Sequence, residues 1–191
     1  MPTKWGMFRA VGFEREVLNG TRQIESALAL VLGDVTKGVP LVRIHSQCLT
    51  GDVLASERCD CRAQLELSLR RIAAAPSGIL LYLPQEGRGI GLMNKLRAYE
   101  LQDRGMDTVE ANEKLGFAAD SRDYNFSAAA LRLLGVHRVR LLSNNPDKVQ
   151  QLENAGIRVV ERVPCRPRIS HVSRAYMETK RTKMGHLLDS L

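Results

Sequence analysis

Three cysteines lie close together in the sequence with the spacing of metal ligands. Ten residues separate Cys48 from Cys59, and a single residue separates Cys59 from Cys61. Zn²⁺ readily binds thiolates, and three protein ligands leave the fourth tetrahedral position open, as in catalytic zinc sites. Two other interpretations stay open here: a structural zinc site completed by His45 or Cys165, or three small buried residues that hold no metal.

A glycine-rich segment follows a predicted buried strand and precedes a predicted helix. It covers residues 85–91, with the sequence Gln-Glu-Gly-Arg-Gly-Ile-Gly. Glycines let the backbone approach a phosphate, and a helix N-terminus favours negative charge. Arg88 adds a side chain able to make a bidentate contact with an anion. The segment is neither a Walker A loop nor a dinucleotide fingerprint, and it also fits an ordinary tight turn.

Two polar loops further along the chain carry groups of catalytic type. Residues 120–123, Asp-Ser-Arg-Asp, combine acidic residues with an arginine. A carboxylate there could act as a general base while the arginine contacts an anion. Residues 143–148, Ser-Asn-Asn-Pro-Asp-Lys, combine exposed amides with a lysine at a strand-to-helix turn, which suits a phosphate. The simpler interpretations are a solvated loop for the first and a helix cap for the second.

Hydrophobic patterning supplies the elements that must position these residues. Apolar runs bounded by turn residues predict strands at Met7 to Phe13, Ala27 to Leu32, Leu41 to His45 and Ile79 to Leu83. The second of these runs also fits a short helix. Helical spacing predicts helices from Cys61 to just before Pro76, from about Leu92 to before Gly105, and from Ser127 to Leu134.

The C-terminal third predicts a parallel β-α-β unit. Val139 to Leu142 and Ile157 to Val160 are strands, and Asn145 caps a helix that has proline at its first position. A polar connector then leads to a helix from Tyr176 to Leu188. The predicted fold is a mixed α/β (α+β) single domain over residues 1–191, with early strands followed by β-α-β units. The connector and last helix begin at about residue 165.

Composition limits the class of protein. The 191 residues are 44% hydrophobic, which is enough for a core, and no apolar run reaches membrane-spanning length. The N-terminus has no signal-peptide pattern, so we expect a cytoplasmic location. The formal net charge of +7 attracts polyanions, either nucleic acid or a nucleoside triphosphate. Because only 5% of residues are aromatic, base stacking along a single strand is disfavoured.

Eight segments in the correct order make the chain similar to GTP cyclohydrolase II. The resemblance runs from about Trp5 to Leu188. The segments are residues 43–52 (Arg-Ile-His-Ser-Gln-Cys-Leu-Thr-Gly-Asp), 58–61 (Arg-Cys-Asp-Cys), 85–88 (Gln-Glu-Gly-Arg), 95–99 (Lys-Leu-Arg-Ala-Tyr), 107–112 (Asp-Thr-Val-Glu-Ala-Asn), 116–122 (Gly-Phe-Ala-Ala-Asp-Ser-Arg), 144–146 (Asn-Asn-Pro) and 178–186 (Glu-Thr-Lys-Arg-Thr-Lys-Met-Gly-His).

The resemblance implies an activity. The family converts GTP and water to formate, pyrophosphate and a diaminopyrimidine ribosyl phosphate, the first step of riboflavin biosynthesis, using Zn²⁺ and Mg²⁺. It also implies a homodimer. Two alternatives remain: a relative that stops at a formamidopyrimidine, and a non-catalytic nucleotide- or RNA-binding module with structural zinc.

The same resemblance implies residue roles. Cys48, Cys59 and Cys61 would bind zinc. Asp120 would be the proton acceptor, Arg122 would act at the α-phosphate, and Tyr99 would assist near the ring. Contacts with GTP would come from Arg43, Ile44, His45, Ser46, Gln47, Gln64, Glu86, Gly87, Arg88, Thr108, Ser143 and Lys148.

The chain departs from the family pattern at two of these positions. Relatives often have Glu at the position of Gln47, which cannot supply charge, and Thr at the position of Ser143, which keeps the hydroxyl. A guanidinium stays protonated, with a pKa above about 12. We therefore expect Arg122 to stabilise the leaving pyrophosphate and not to act as a nucleophile, unless a neighbour such as Asp120 deprotonates it transiently.

Overall fold

The computed structural model describes residues 1–167, 173–183, 185 and 187. Two compact units make up the chain. The predicted connector from Cys165 to Ser173 lies partly outside the described residues, and a single domain over residues 1–191 stays a prediction. The first unit contains Met1–His45, Glu66–Pro84 and Asp123–Cys165, and the second contains Ser46–Leu65, Gln85–Arg122 and the described residues from Arg166 onward.

The strands are β1 (Pro2–Thr3), β2 (Gly6–Met7), β3 (Arg9–Asn19), β4 (Thr21–Leu32), β5 (Leu41–Ser46), β6 (Gly78–Leu83), β7 (Arg138–Leu142) and β8 (Arg158–Val163). They form a small hairpin and a six-stranded sheet with the order β3-β4-β6-β5-β7-β8. β3 and β4 are antiparallel, as are β4 and β6, whereas β7 runs parallel to both β5 and β8. This mixed sheet with helices confirms the predicted mixed α/β class.

The strands β3 and β4 form a hairpin that is longer than the two strands predicted from the sequence. The two strands pair along their whole length, and Gly20 makes the turn with a φ of 75°. Residues 22–26 are all exposed, so this part of β4 has no buried face and no alternating pattern to detect. The helical alternative for Ala27 to Leu32 is wrong. The single strand predicted from Met7 to Phe13 is instead divided between β2 and β3 at buried Phe8.

Helices α1 (Cys61–Ala73), α4 (Asn125–Leu133) and α5 (Pro146–Asn154) confirm three predicted helices. Asn145 caps α5 by accepting a hydrogen bond from the backbone N–H of Asp147, as its position before Pro146 predicts. With β7 and β8, α5 completes the predicted parallel β-α-β unit. The core of the first unit is apolar and includes Ile44, Leu81, Leu131, Leu141 and Leu152.

The second unit contains α2 (Leu92–Asp103), α3 (Thr108–Lys114) and α6 (Arg174–Lys183), with a π-helical turn at Leu49–Val53 and a 3₁₀ turn at Glu86–Gly89. α2 was predicted. α3 was not, although Asp107 and Glu110 form a capping box at its start. The prediction for α6 is wrong at its end, because Gly185 and Leu187 are not helical; Leu188 lies outside the described residues. No described helix is both long and apolar enough to cross a membrane.

Candidate active site

The three predicted metal ligands come together in the second unit, in a group called the cysteine cluster below (Cys48, Cys59 and Cys61). Their sulfur atoms all lie within 4.8 Å of one another, and those of Cys48 and Cys59 are 3.6 Å apart. Tetrahedral Zn²⁺ with ligands at about 2.3 Å would hold sulfurs about 3.8 Å apart. The cluster therefore has the spacing that one metal ion needs. Within the described part of the chain, no other group of three or more His, Cys, Asp or Glu ligands has this arrangement.

The π-helical turn brings the backbone against the sulfurs. The Cys48 N–H donates to Asp52 Oδ2 at 3.0 Å, which fixes the start of the turn. A Cβ atom on Gly51 would lie 3.1 Å from the sulfurs of both Cys48 and Cys59. Glycine is favoured there, because a side chain would make the turn or the sulfurs shift by a few tenths of an ångström.

The thiols influence one another's ionisation. Hydrogen bonds from Cys59 and Cys61, assisted by the Lys95 ammonium, hold the pKa of Cys48 well below its usual range. The hydrogen bond to Cys48 raises the pKa of Cys59 to about 11, and hydrogen bonds with both partners raise that of Cys61. One thiolate is thus favoured without a metal. A metal must displace the other protons, so its affinity falls as the pH is lowered.

Neither residue considered as a fourth ligand belongs to this group. Cys165 is buried in the first unit, where its sulfur lies 3.6 Å from Ser68 Oγ and its backbone bonds to the Asn144 side chain. His45 is also buried in the first unit and stacks on Tyr82, with the ring centroids 5.6 Å apart.

Replacement of Cys165 by serine is expected to leave metal binding intact. The cysteine cluster already has three sulfurs close enough to hold one ion, whose fourth coordination position would stay open. Metal analysis of the purified Cys165→Ser protein should still give one zinc per chain. Loss of the metal from a folded variant would mean that Cys165 closes the site as a fourth ligand.

A buried lysine, Lys95 on α2, lies directly against the cysteine cluster. Its ammonium donates to Cys48 Sγ at 3.2 Å, to Thr50 Oγ1 at 2.8 Å and to Glu86 Oε1 at 2.7 Å. Burial opposes its protonation, but the Glu86 carboxylate and the Cys48 thiolate outweigh burial and raise the pKa of Lys95. Glu86 also accepts from the backbone N–H of Leu49 at 2.6 Å. These bonds connect the 3₁₀ turn, α2 and the metal-binding turn.

Tyr99 is held beside the same cluster. Its hydroxyl lies 3.0 Å from Thr50 Oγ1, and the Arg58 guanidinium lies over its ring at 4.8 Å from the centroid. Burial, which outweighs the Thr50 hydrogen bond, raises the pKa of Tyr99. The phenol therefore stays protonated near neutral pH and can donate a hydrogen bond.

The glycine-rich segment forms the 3₁₀ turn after β6, where the sequence placed it. Gly87 and Arg88 both have positive φ angles, of 61° and 63°, and Arg88 is one of the few non-glycine residues in that region. Such strain is typical of functional sites. Nη1 of Arg88 donates to the Ala119 carbonyl at 3.4 Å, and its buried Nη2 has no hydrogen-bond partner among the described residues.

Asp120 and Arg122 pair with each other. Arg122 Nε donates to Asp120 Oδ1 at 2.8 Å, and Arg122 Nη2 bonds to the other carboxylate oxygen. Burial opposes ionisation of Asp120, but this bidentate pairing prevails and holds the pKa of the carboxyl below its ordinary value. In this arrangement Asp120 is an ionised partner of Arg122 and only a weak base.

Four further predicted residues also lie in the second unit. Ser46 Oγ donates to Gln85 Oε1 at 3.3 Å, and Gln64 donates to Asp60 from the first turn of α1. Gln47 is half-buried, and Thr108 is the first residue of α3.

The remaining predicted contacts belong to the first unit and are buried there. Arg43 Nη1 donates to the Leu142 carbonyl at 3.0 Å. Lys148 Nζ donates to the Ile44 carbonyl at 2.9 Å and lies 4.9 Å from the centroid of the Tyr124 ring. Ser143 Oγ accepts from the Asn145 N–H at 3.1 Å. These polar groups are therefore fixed by contacts within their own unit.

Sequence reasoning overlooked the role of Lys95, Thr50 and Gly51 around the cysteine cluster. Lys95 stood in a recognised motif without an assignment. One indication was available: Lys95 and Tyr99 are four residues apart and so share one helix face. The contacts of Lys95 with Cys48 and Glu86 depend on tertiary structure and leave no pattern in the sequence.

Comparison with known proteins gives a consistent result. The family model described as GTP cyclohydrolase II matches residues 1–164. The chain is 52% identical to GTP cyclohydrolase-2 of Buchnera aphidicola over 189 residues, covering 98% of this chain and 95% of that protein. It is 56% identical to GTP cyclohydrolase-2 of Cronobacter sakazakii, covering 98% of this chain and 93% of that protein. It is also 52% identical to a riboflavin biosynthesis protein of Vibrio vulnificus, covering 99% of this chain and 50% of that longer protein.

Proposed function

Because the chain belongs to the GTP cyclohydrolase II family, we propose that it is a zinc-dependent hydrolase that opens the imidazole ring of GTP. The products are formate, pyrophosphate and a diaminopyrimidine ribosyl phosphate, in the first step of riboflavin biosynthesis. The observation that carries the proposal is the cysteine cluster, whose three sulfurs lie within 4.8 Å of one another. The relatives' names supply the substrate and the pathway.

The cysteine cluster would hold the zinc ion. Its donor set fits Zn²⁺ because three thiol sulfurs lie within 4.8 Å of one another, close enough to bind one ion, and three protein ligands would leave the fourth tetrahedral position open. When bound, the ion would supply activated water at neutral pH for attack on C8 of guanine. Tyr99, protonated near neutral pH and 3.0 Å from Thr50 Oγ1, would donate a hydrogen bond to the ring.

Cationic groups would act at the triphosphate. The buried Nη2 of Arg88 has an unused donor, which supports a role in binding a phosphate oxygen. Arg122 would stabilise the pyrophosphate that leaves the α-phosphate, with Mg²⁺ neutralising further charge. Asp120 would hold Arg122 in position. It would accept a proton only after Arg122 turns to the phosphate, because the ion pair lowers its pKa.

The other substrate contacts are proposed from the family resemblance alone. Gln47 would contribute hydrogen bonds but no charge, and Ser143 would keep the hydroxyl that relatives have. The full proposed set is Arg43, Ile44, His45, Ser46, Gln47, Gln64, Glu86, Gly87, Arg88, Thr108, Ser143 and Lys148.

We further propose a cytoplasmic enzyme that acts as a homodimer and does not bind nucleic acid. All four cysteines are free thiols, which suits a reducing compartment. The dimer rests on family resemblance and is testable by sedimentation of the purified protein.

Incubation of the zinc-loaded protein with GTP tests the proposed function. We expect formate and pyrophosphate in equal amounts and a pyrimidine absorption spectrum in place of that of guanine. Pyrophosphate without formate would indicate a relative that keeps the formyl group. If neither formate nor pyrophosphate is released, the result would favour a non-catalytic binding module.

A generic RNA competitor separates substrate attraction from nucleic-acid binding. At about 0.15 M salt, surface attraction is screened beyond roughly 8 Å. We expect RNA to leave the rate of formate release nearly unchanged. Strong inhibition by RNA at that salt concentration would contradict the proposal that the protein's net charge of +7 serves to attract GTP.

A further inference from the structure

Lys95 is a buried cation that touches a predicted metal ligand. Its side chain is 10% exposed, that of its partner Glu86 is 8% exposed, and their charged atoms are 2.7 Å apart. The third hydrogen bond of the ammonium, to Cys48 Sγ at 3.2 Å, goes beyond what pairing with Glu86 requires. A lysine that served only to neutralise Glu86 would not need a contact with the sulfur.

The charge on the cysteine cluster explains why a cation would be placed there. Three thiolates outweigh a divalent metal ion by one negative charge, and the nearby Glu86 carboxylate adds another. Burying such an excess is costly unless a cation is in direct contact with it. Among the described residues, Lys95 is the cation within hydrogen-bond distance of both Cys48 and Glu86.

We propose that Lys95 is a positioning residue of the metal site, which holds the Cys48 sulfur in place and compensates the negative charge of the three-thiolate complex. The proposal rests on the proposed zinc function. Glu86 in turn fixes the ammonium, and it accepts from the Leu49 N–H at 2.6 Å, so the lysine and the metal-binding turn are oriented together. Lys95 acts through Cys48 and need not touch the substrate.

Metal titration tests this assignment without GTP. Partners that orient metal ligands typically contribute about 10- to 100-fold to metal affinity. We expect Zn²⁺ affinity at pH 7 to fall by about that factor in Lys95→Met, measured by competition with a chromophoric chelator. Lys95→Gln keeps an N–H donor for the sulfur but removes the charge, so its affinity should lie between those of Lys95→Met and the unmodified protein.

Cobalt spectra separate positioning from a purely structural role. Loss of the N–H···S bond raises the energy of the sulfur electrons, so the thiolate-to-cobalt charge-transfer band of Co²⁺-loaded Lys95→Met should shift to longer wavelength. The band of Lys95→Gln should stay near that of the unmodified protein. Lys114→Met, at an exposed position on α3, is the matched control and should change neither affinity nor band position.

Circular dichroism establishes that each variant is folded. If Lys95→Met does not fold, the Lys95→Met/Glu86→Gln double variant removes the unpaired carboxylate and takes its place. Zn²⁺ affinity within about threefold of the unmodified protein, with an unmoved cobalt band, would overturn the proposal. Failure of the unmodified protein to bind Zn²⁺ would instead overturn the proposed zinc site itself.

Discussion

Serine in place of Cys59 is expected to remove the bound metal and lower formate release by about 10³-fold or more, while some pyrophosphate release continues. Cys59 Sγ lies 3.6 Å from Cys48 Sγ, so its loss leaves two thiols to hold the ion. Ring opening needs activated water at C8, whereas pyrophosphate leaves from the opposite end of GTP. One metal ion in the cysteine cluster can serve only one of these ends.

The expected product of Cys59→Ser is therefore GMP, formed by hydrolysis between the α- and β-phosphates. Formate and pyrophosphate are assayed separately, and nucleotides are identified by chromatography. Cys165→Ser is the matched control, because it removes a buried thiol outside the cysteine cluster. A folded, metal-free Cys59→Ser protein that binds GTP but releases no pyrophosphate would contradict the proposal that the metal ion serves ring opening alone.

The cysteine cluster was predictable because its information is local. Two of its members flank a single residue, and the third lies only ten residues earlier, so the spacing indicated the group whose sulfurs lie within 4.8 Å of one another in the structure. Lys95 was not predictable in this way. Its partner Glu86 is nine residues away and its partner Cys48 is 47 residues away, and nothing in their spacing indicates contact.

The fold shows the same distinction. α5 and its cap were evident from Asn145 and Pro146, which act on neighbouring backbone groups. The outer half of the hairpin of β3 and β4 was not evident, because residues 22–26 are exposed and carry no hydrophobic alternation. α3 has few apolar residues and only seven residues in total, so its capping box was its main signature.

The pair of Asp120 and Arg122 also predicts how stability depends on pH. The folded-state pKa of Asp120 lies below its unfolded value, so the stability that the pair provides is present above about pH 4 and is lost as the pH falls through the lowered pKa. Removing the Arg122 side chain takes away the main contact that opposes burial, whereas the backbone N–H of residue 122 and the charge of Arg88 remain. The pKa of Asp120 is therefore expected to rise, and the pair's contribution to stability to be lost.

Alanine in place of Arg122 is expected to lower pyrophosphate release by about 10²- to 10³-fold, the usual effect of losing one donor that stabilises transition-state charge. Arg122 reaches Asp120 through Nε and Nη2, and turning the same fork onto a phosphate would keep it in bidentate contact with oxygens. Exposed Arg104→Ala removes an equal charge from the same unit and is the matched control. The Arg122→Ala/Asp120→Asn double variant avoids an uncompensated, partly buried carboxylate and guards against misfolding.

Formate release by Arg122→Ala then determines the order of the two hydrolyses. If phosphate cleavage must come first, formate release falls by the same factor as pyrophosphate release. If the order is free, formate release persists and a ring-opened triphosphate accumulates, identifiable by mass spectrometry. Either result agrees with a role for Arg122 at the phosphate. Pyrophosphate release equal to that of Arg104→Ala, in a folded Arg122→Ala protein, would show instead that the guanidinium only holds Asp120, because the reaction at the α-phosphate would then proceed without it.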